Sequence, residues 1–587
     1  MTQQNITIME HNNEHLHAIR HSLAHLFAAA LLEFYPKAKI TIGPPVEDGF
    51  YYDFESSENP ITESDLPKIE KQMKKLLHTW DKFEKIEVTP DEARKTWEGN
   101  PFKLEIIEEL VKKGEPISFY KSGKFVDLCR GGHVESMKEI DPECFKLHKL
   151  AGAYWRGDSK NPMLTRVYGL AFESSENLKA HLKMLEEAEK RDHKVLGQKL
   201  ELFMFHPTSP GMPYWLPKGV ILYNELVNFW RKEHKKRGYQ EIVSPLLNKK
   251  ELYVTSGHYE HYWENMFVAN MGENEEYGVK AMNCPNAHVV FGSKLRSYKE
   301  LPLRLGDTDH LHRYELAGTL NGLFRVREFR QDDAHIYVAE EMVESEYMEV
   351  FKIVELFYSI FGMQYRFRLG TRPKDFMGDI ETWNGAETTL KKILAESGKD
   401  YFIEEGDGAF YGPKVDILMK DALGRDWQMG TVQLDFQQPR RFGLEYVSED
   451  GSRKTPIAIH RVIYGSLERF IGILIEHYAG AFPLWLSPVQ VAILPISENQ
   501  NGYAKEVREQ LEAVLPDLRL EIDERNESIG KKIREASQSK VPYQIIIGQK
   551  EVDAKMVAVR TREGQDLGQM SINDLVSKLT NEIANKL

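Results

Sequence analysis

Two stretches of this 587-residue chain obey patterns that no single sheet can satisfy. From Val489 onward, apolar strand-like runs (VQVAILPI, LRLEID, YQIIIG, KMVAVRTR) alternate with helical segments over 503–515 and 529–537. That alternation predicts a small, mainly parallel α/β domain. Residues 202–486 instead carry many strand signals, rich in aromatics and punctuated by glycine, without regular helices between them. This predicts an antiparallel sheet packed by helices. Upstream, 13–172 mixes both elements: a helix near 14–35 stopped by Pro36, a strand at Phe50-Tyr-Tyr-Asp-Phe54, and a helix after Asp65-Leu-Pro67 with Ile69, Met73, Leu76 and Leu77 at helical spacing. Residues 177–200 read as one charged amphipathic connector helix with Leu178, Leu182, Leu185 and Ala188 on one face. The expectation is a multidomain α+β chain divided at 1–176, 177–200, 201–487 and 488–587, in keeping with about three to five domains for this length.

Composition excludes several alternatives. Hydrophobic residues at 41% and charged residues at 28% are ordinary for a globular chain, and no run approaches the roughly 18 apolar residues of a membrane span. The polar N-terminus lacks an export signal, and the only cysteines, Cys129, Cys144 and Cys284, cannot build a disulfide framework. Both point to the cytoplasm. A net charge of −13 argues against a coat of basic surface but leaves room for a local basic patch on nucleic acid. Neither GxxxxGK[ST] nor a strand-to-helix GxGxxG occurs, which disfavours P-loop and Rossmann nucleotide binding.

Three constellations carry chemistry. His21-Ser-Leu-Ala-His25 puts two imidazoles on one helix face, and Asp127-Leu-Cys129-Arg-Gly-Gly-His133 adds a cysteine and histidine four apart beside a Gly-Gly turn. This set fits a tetrahedral zinc site or a metal-free hydrolytic pocket in which neutral histidine accepts a proton from water. Met282-Asn-Cys284-Pro, read as a strand-to-turn segment, joins Gln331-Asp-Asp-Ala-His335 and Ile459-His460-Arg461 as one thiolate and two imidazoles. Such a trio makes a zinc site with an open fourth position, though its members lie too far apart for spacing alone to establish it. Arg313, Arg325 and Arg469 suggest triphosphate handling, because guanidinium groups grip phosphate oxygens and stack on bases.

With these residues in view, the sequence resembles the threonyl-tRNA synthetases, class II aminoacyl-tRNA synthetases, over nearly its whole length. Gly238-Tyr-Gln-Glu-Ile-Val-Ser-Pro245 is similar to motif 1, whose proline lies at a homodimer interface. His312-Arg313-Tyr-Glu315 with the loop to Arg325 is similar to motif 2, and Gly465-Ser-Leu-Glu-Arg469-Phe to motif 3. The resemblance implies a class II catalytic core on an antiparallel β-sheet, an N-terminal α+β editing domain and a C-terminal α/β anticodon-binding domain. It implies that Arg313 holds the α-phosphate and the amino-acid carboxylate, Glu315 contacts adenine, Arg325 takes the γ-phosphate and Arg469 stacks on adenine. Cys284, His335 and His460 match zinc ligands. Asp333, Tyr411 and Gln433 match the threonine pocket, with Gln428 and Lys414 nearby.

The same resemblance assigns His21, His25, Cys129 and His133 to an editing pocket that hydrolyses Ser-tRNA without metal, with Lys103, Tyr120 and Asp127 as partners. Asn526, Arg534, Glu551 and Arg562, or Arg560 in its place, fall where anticodon contacts are expected. The implied partners are ATP with Mg²⁺, L-threonine, tRNA(Thr) and a second copy of the chain, with one Zn²⁺ per subunit and no membrane. Many bacterial members carry a small ubiquitin-like module ahead of the editing domain, and this sequence starts at the editing helix. It also reads Met282-Asn-Cys284-Pro-Asn286-Ala287 where the family commonly has Met-Asn-Cys-Pro-Gly-His, so the role of that histidine does not carry over to Ala287. The alternative reading is a catalytically inactive synthetase-like regulator that binds tRNA; the retained arginines and Cys/His trio argue against it.

Overall fold

The computed structural model describes residues 3–56, 60–158, 160–272, 275–421 and 424–586, with side chains from 14 onward. It divides into two compact units, Met1–Glu186 and Glu187–Leu587.

In the first unit, an antiparallel sheet in the order Lys39–Ile40, Gly49–Glu55, Met163–Ala171, Phe145–Tyr154 is flanked by the helix Gln3–Phe34. That helix begins well before the expected residue 14 and stops ahead of Pro36. Leu23, Leu26, Phe27, Ala30 and Leu31 recur at helical spacing and bury against Phe50, Tyr52 and Phe54 of the sheet. The helix Leu66–Thr79 starts with proline in its first turn and buries Ile69, Met73 and Leu77, as its spacing predicts. A second sheet, Glu84–Val88, Ile117–Ser122 and Phe125–Leu128, carries Tyr120 and Asp127.

The connector over 177–200 is two helices, Ser175–Arg191 and His193–Lys199, not one. Asp192 adopts φ −49°, ψ 119°, outside helical values, and its carboxylate accepts the Lys194 N–H at 2.7 Å. A helical periodicity can run through such a break, because an N-cap aspartate restarts the helix without disturbing the apolar spacing. Of the expected apolar face, Leu178 is buried while Leu182, Leu185 and Ala188 are half-buried.

The second unit is built on an eight-stranded sheet in the order Gln240–Glu241, Leu303–Asp307, Asp333–Val338, Ile457–Val462, Asp426–Asp435, Lys414–Lys420, Tyr365–Gly370, Tyr401–Glu404. Only the two outermost pairings are parallel. Strand side chains alternate between faces. One face presents Ile336, Val338, Ile459, Val432, Leu434, Val415 and Ile417 to a core that includes residues of the helices Pro217–Lys235, Val343–Ser359 and Leu467–His477. The polar alternates, among them Asp333, His335, His460 and Gln433, fall on the opposite face.

Residues 490–582 form a five-stranded sheet, Leu520–Ile522, Val491–Pro495, Tyr543–Ile547, Val557–Thr561, Asp566–Met570. Its first two pairings are parallel and its last two antiparallel, so the mainly parallel expectation is corrected to a mixed sheet. Residues 548–556 link two of these strands and are fewer than the roughly dozen that a parallel crossover requires.

Candidate active site

In the central sheet, His335 is directly opposed to His460, His460 to Gln433, and Gln433 to Lys414 on successive strands. Paired residues point to one face, so the ladder alone sets four candidate side chains in a row. The His335 and His460 rings are 4.7 Å apart. Cys284 arrives from outside the sheet, as the first residue of the helix Cys284–Phe291. This corrects the strand-to-turn expectation: Pro285 lacks an N–H and suits a first helical turn.

The sulfur of Cys284 and ring nitrogens of His335 and His460 all lie within 4.8 Å of one another. His335 Nδ1 is buried without a hydrogen-bond partner among the described residues, and His460 Nε2 lies 2.9 Å from Asp435 Oδ2. Burial pushes the Cys284 thiol well up and holds His335 well below its usual range, leaving a neutral imidazole with a free lone pair. One soft sulfur and two imidazoles, one of them with its Nδ1 orphaned, fit a zinc ion that keeps a fourth position open.

The trio lines a cavity of about 480 Å³ that also reaches Asp333, Tyr411, Gln433, Arg313, Glu315, Arg325 and Arg469. Asn283 Nδ2 donates to Asp333 Oδ2 at 3.1 Å, and burial raises the Asp333 carboxyl to about 6. The Tyr411 hydroxyl donates to Gln433 Oε1. Gln428 also lines the cavity, whereas Lys414 is drawn to Asp407 and Asp416, 3.1 Å from each.

At the other end, Arg313 Nε donates to the Ala281 carbonyl at 3.3 Å with its guanidinium 5.0 Å from the Phe329 ring centre. Arg469 Nε donates to the Phe324 carbonyl at 2.9 Å, and Arg325 Nε stands 3.7 Å from Glu315. Burial first, then the charges of Arg325 and Arg313, lower the Arg469 pKa. Like charges held this close in a cavity suit a polyanion that would neutralise them.

Two residues of this site escaped sequence reading. His258 is buried with Nε2 3.9 Å from Cys284 Sγ, yet it sits in a short helix, His258–His261, with no periodic signal. Asp435 had a signal: Thr431, Gln433 and Asp435 alternate on one strand.

The first unit holds the second cluster. Ligand-capable atoms of His21, His25, Cys129 and His133 lie within 4.8 Å of one another. Cys129 Sγ is 3.5 Å from His21 Nε2 and 3.4 Å from His133 Nε2, and it accepts the Gly131 N–H at 3.3 Å. Gly131 takes φ +104°, and a Cβ there would sit 2.4 Å from the Tyr120 hydroxyl, so only glycine allows that approach. Asp127 is buried and fully engaged: it pairs with Lys103 Nζ at 2.5 Å, accepts from Tyr52 OH at 2.7 Å and from Leu128 N–H at 2.8 Å, and lies 3.4 Å from His25 Nδ1. Burial lowers the pKa of His21, His25 and His133 and pushes the Cys129 thiol up to about 11. The pocket therefore offers neutral imidazoles and a protonated thiol at neutral pH.

Among the anticodon candidates, Asn526 and Arg534 are exposed. Glu551 is buried and accepts from Gly548 N–H at 2.9 Å and Gln569 Nε2 at 2.5 Å. Arg562 Nη1 donates to the Phe482 carbonyl at 2.6 Å, and its side chain is 18% exposed. Arg560 keeps its Nε without a partner among the described residues.

Residues 267–478 match the tRNA synthetase class II core domain (G, H, P, S and T), 490–582 match an anticodon binding domain, and 117–168 match the threonyl and alanyl tRNA synthetase second additional domain. The threonine–tRNA ligase of Acetivibrio thermocellus is 49% identical over 97% of this chain and 89% of its own length. That of Clostridium tetani is 50% identical over 97% of this chain and 88% of its own. A solved structure titled as the RNA binding domain of threonyl-tRNA synthetase from Cryptosporidium parvum superposes with TM-score 0.65 at 41% identity, covering 67% of this chain and 98% of that one. A putative threonyl-tRNA synthetase from Aeropyrum pernix gives TM-score 0.58 at 28% identity, covering 68% of this chain and 96% of that one. With a class II core, an anticodon-binding domain and the additional domain all present, and relatives half identical along almost the whole sequence, the chain belongs to the threonine–tRNA ligase family of class II aminoacyl-tRNA synthetases.

Proposed function

We propose that this chain activates L-threonine with ATP and Mg²⁺, transfers it to tRNA(Thr), and hydrolyses Ser-tRNA(Thr) in its first unit, working in the cytoplasm as a homodimer with one zinc per subunit. The observation that carries this is the convergence of Cys284, His335 and His460 in one cavity with Arg313, Arg325 and Arg469. An amino-acid carboxylate attacks the α-phosphorus, the bond to pyrophosphate breaks, and charge builds on phosphate oxygens. Arg313, Arg325 and Arg469 stabilise that charge from fixed positions, with little reorganisation at the moment of reaction. Glu315 faces the adenine end. Asp333, Tyr411 and Gln433 orient the amino acid, and Asn283 fixes Asp333. A hydroxyl of the tRNA end then attacks the activated carbonyl and releases AMP.

Cys284, His335 and His460 would hold the zinc, which supplies an electrophilic anchor for the amino and hydroxyl groups of threonine. A site built around a hydroxyl rejects valine, its methyl isostere, by about 10⁴–10⁵-fold, where a plain apolar pocket manages only about 10². Serine keeps the hydroxyl and lacks one methyl, a difference of about 1–3 kcal/mol, too small for accurate translation. A second hydrolytic pocket answers that shortfall, and the neutral His21, His25 and His133 suit it as proton acceptors from water.

Cys284→Ala should abolish threonine-dependent ATP–pyrophosphate exchange and remove the bound zinc while the fold persists. Metal analysis and exchange across a panel of amino acids check it. Full activity, or unchanged zinc content, would take Cys284 out of the site.

A further inference from the structure

A buried polar centre outside both clusters joins the connector to the loop that carries the arginines. His193, the first residue of the helix His193–Lys199, has a side chain only 1% exposed. Its Nε2 accepts the Leu323 backbone N–H at 3.0 Å, and its Nδ1 lies 2.8 Å from Glu476 Oε1 on the helix Leu467–His477. An amide N–H can only donate, so Nε2 carries no proton and Nδ1–H donates to the carboxylate. Both ring nitrogens are thus committed. Glu476 also takes the His193 backbone N–H at 3.2 Å and pairs through its other oxygen with Arg425.

The loop side of this contact is equally constrained. The short turn Gly322–Phe324 sits between Glu315 and Arg325 in sequence. Gly322 takes φ +49°, and a Cβ there would lie 2.3 Å from His193 Nε2, so the backbone approaches the imidazole as closely as glycine permits. The Phe324 ring packs 4.0 Å from the His193 ring and 4.6 Å from Trp427. Its carbonyl is the acceptor for Arg469 Nε at 2.9 Å. The next residue is Arg325.

We propose that His193 is a positioning residue for ATP: its Nε2 pins the turn Gly322–Phe324 and so sets Arg325 and Arg469 for the nucleotide. This rests on reading those two arginines as ATP-binding groups, Arg325 on phosphate and Arg469 on adenine. His193 touches none of the reacting atoms. Its effect therefore belongs to ATP affinity and not to threonine.

The test is threonine-dependent ATP–pyrophosphate exchange on the whole chain, with KM measured separately for each substrate. Losing one such hydrogen bond should raise the ATP KM of His193→Ala roughly tenfold and leave the threonine KM in place. His193→Gln and His193→Asn separate the two bonds. A Gln side-chain oxygen reaches the position of Nε2 and can accept from Leu323, so H193Q should recover ATP KM. Asn reaches only the position of Nδ1, keeps the Glu476 contact and should stay with the alanine variant. Gly322→Ala, altered on the other side of the contact, should raise ATP KM as well. Equal ATP KM in H193Q and H193N would overturn the proposal, and that comparison stands even if H193A fails to fold. So would a parental ATP KM in H193A while Arg325→Ala raises it. If Arg325→Ala itself leaves ATP KM unmoved, the phosphate reading is the part that fails.

Discussion

Cys129 and Cys284 both sit among imidazoles, yet their surroundings set different tasks. Cys129 accepts a backbone N–H and is half-buried, with its thiol raised to about 11 by burial. It is a poor nucleophile at neutral pH, which leaves proton transfer in that pocket to histidine nitrogens. His21→Ala or His25→Ala should slow Ser-tRNA deacylation by about 10²-fold or more while Thr-tRNA formation continues. Unchanged deacylation would assign these residues to structure. The i, i+4 spacing of His21 with His25 and of Cys129 with His133 made this cluster legible in the sequence, because one helical face or one tight turn gathers each pair. Cys284, His335 and His460 lie far apart along the chain, so their meeting depends on strand pairing for the histidines and on the placement of the helix Cys284–Phe291 for the thiol, which only the fold supplies. His258 lay beyond reach because its four-residue helix carries no periodic signal, whereas Asp435 was available from alternation with Gln433.

At the scale of elements, strands and helices followed the apolar periodicities closely, and their junctions did not. The connector shows why. Its apolar spacing continues across Asp192, but the aspartate carboxylate gives the Lys194 amide a better partner than an unbroken turn would. Asp192→Ala should remove that cap and cost about 1 kcal/mol, read as a lower urea midpoint for the second unit. An unchanged midpoint would mean that packing alone ends the first helix. The C-terminal sheet teaches a related lesson. Four of its five strands were readable from their apolar runs and Asp566–Met570 was not; strand direction is set by connection length, and residues 548–556 are too short to cross over.

For the molecule as a whole, the stretch resembling motif 1 and the residues just after it carry apolar side chains that the single chain leaves uncovered: Val243 within the stretch is 81% exposed, and Leu247, two residues beyond Pro245, is 50% exposed. Large exposed apolar residues near one another favour a protein partner. For the homodimer proposed above, Val243→Lys should shift the mass from dimer toward monomer in sedimentation equilibrium; a parental mass would move the interface elsewhere. Among the described residues no helix is long and apolar enough to cross a membrane.

Because His335 faces His460 across two neighbouring strands, the spacing of that imidazole pair is fixed by main-chain hydrogen bonds alone. Sliding either strand by a single residue would turn its histidine into the greasy layer beneath. On the zinc reading proposed above, fidelity in decoding would rest on correct zippering of a ladder during folding, and a misthreaded chain would lose discrimination and metal together, not keep one without the other.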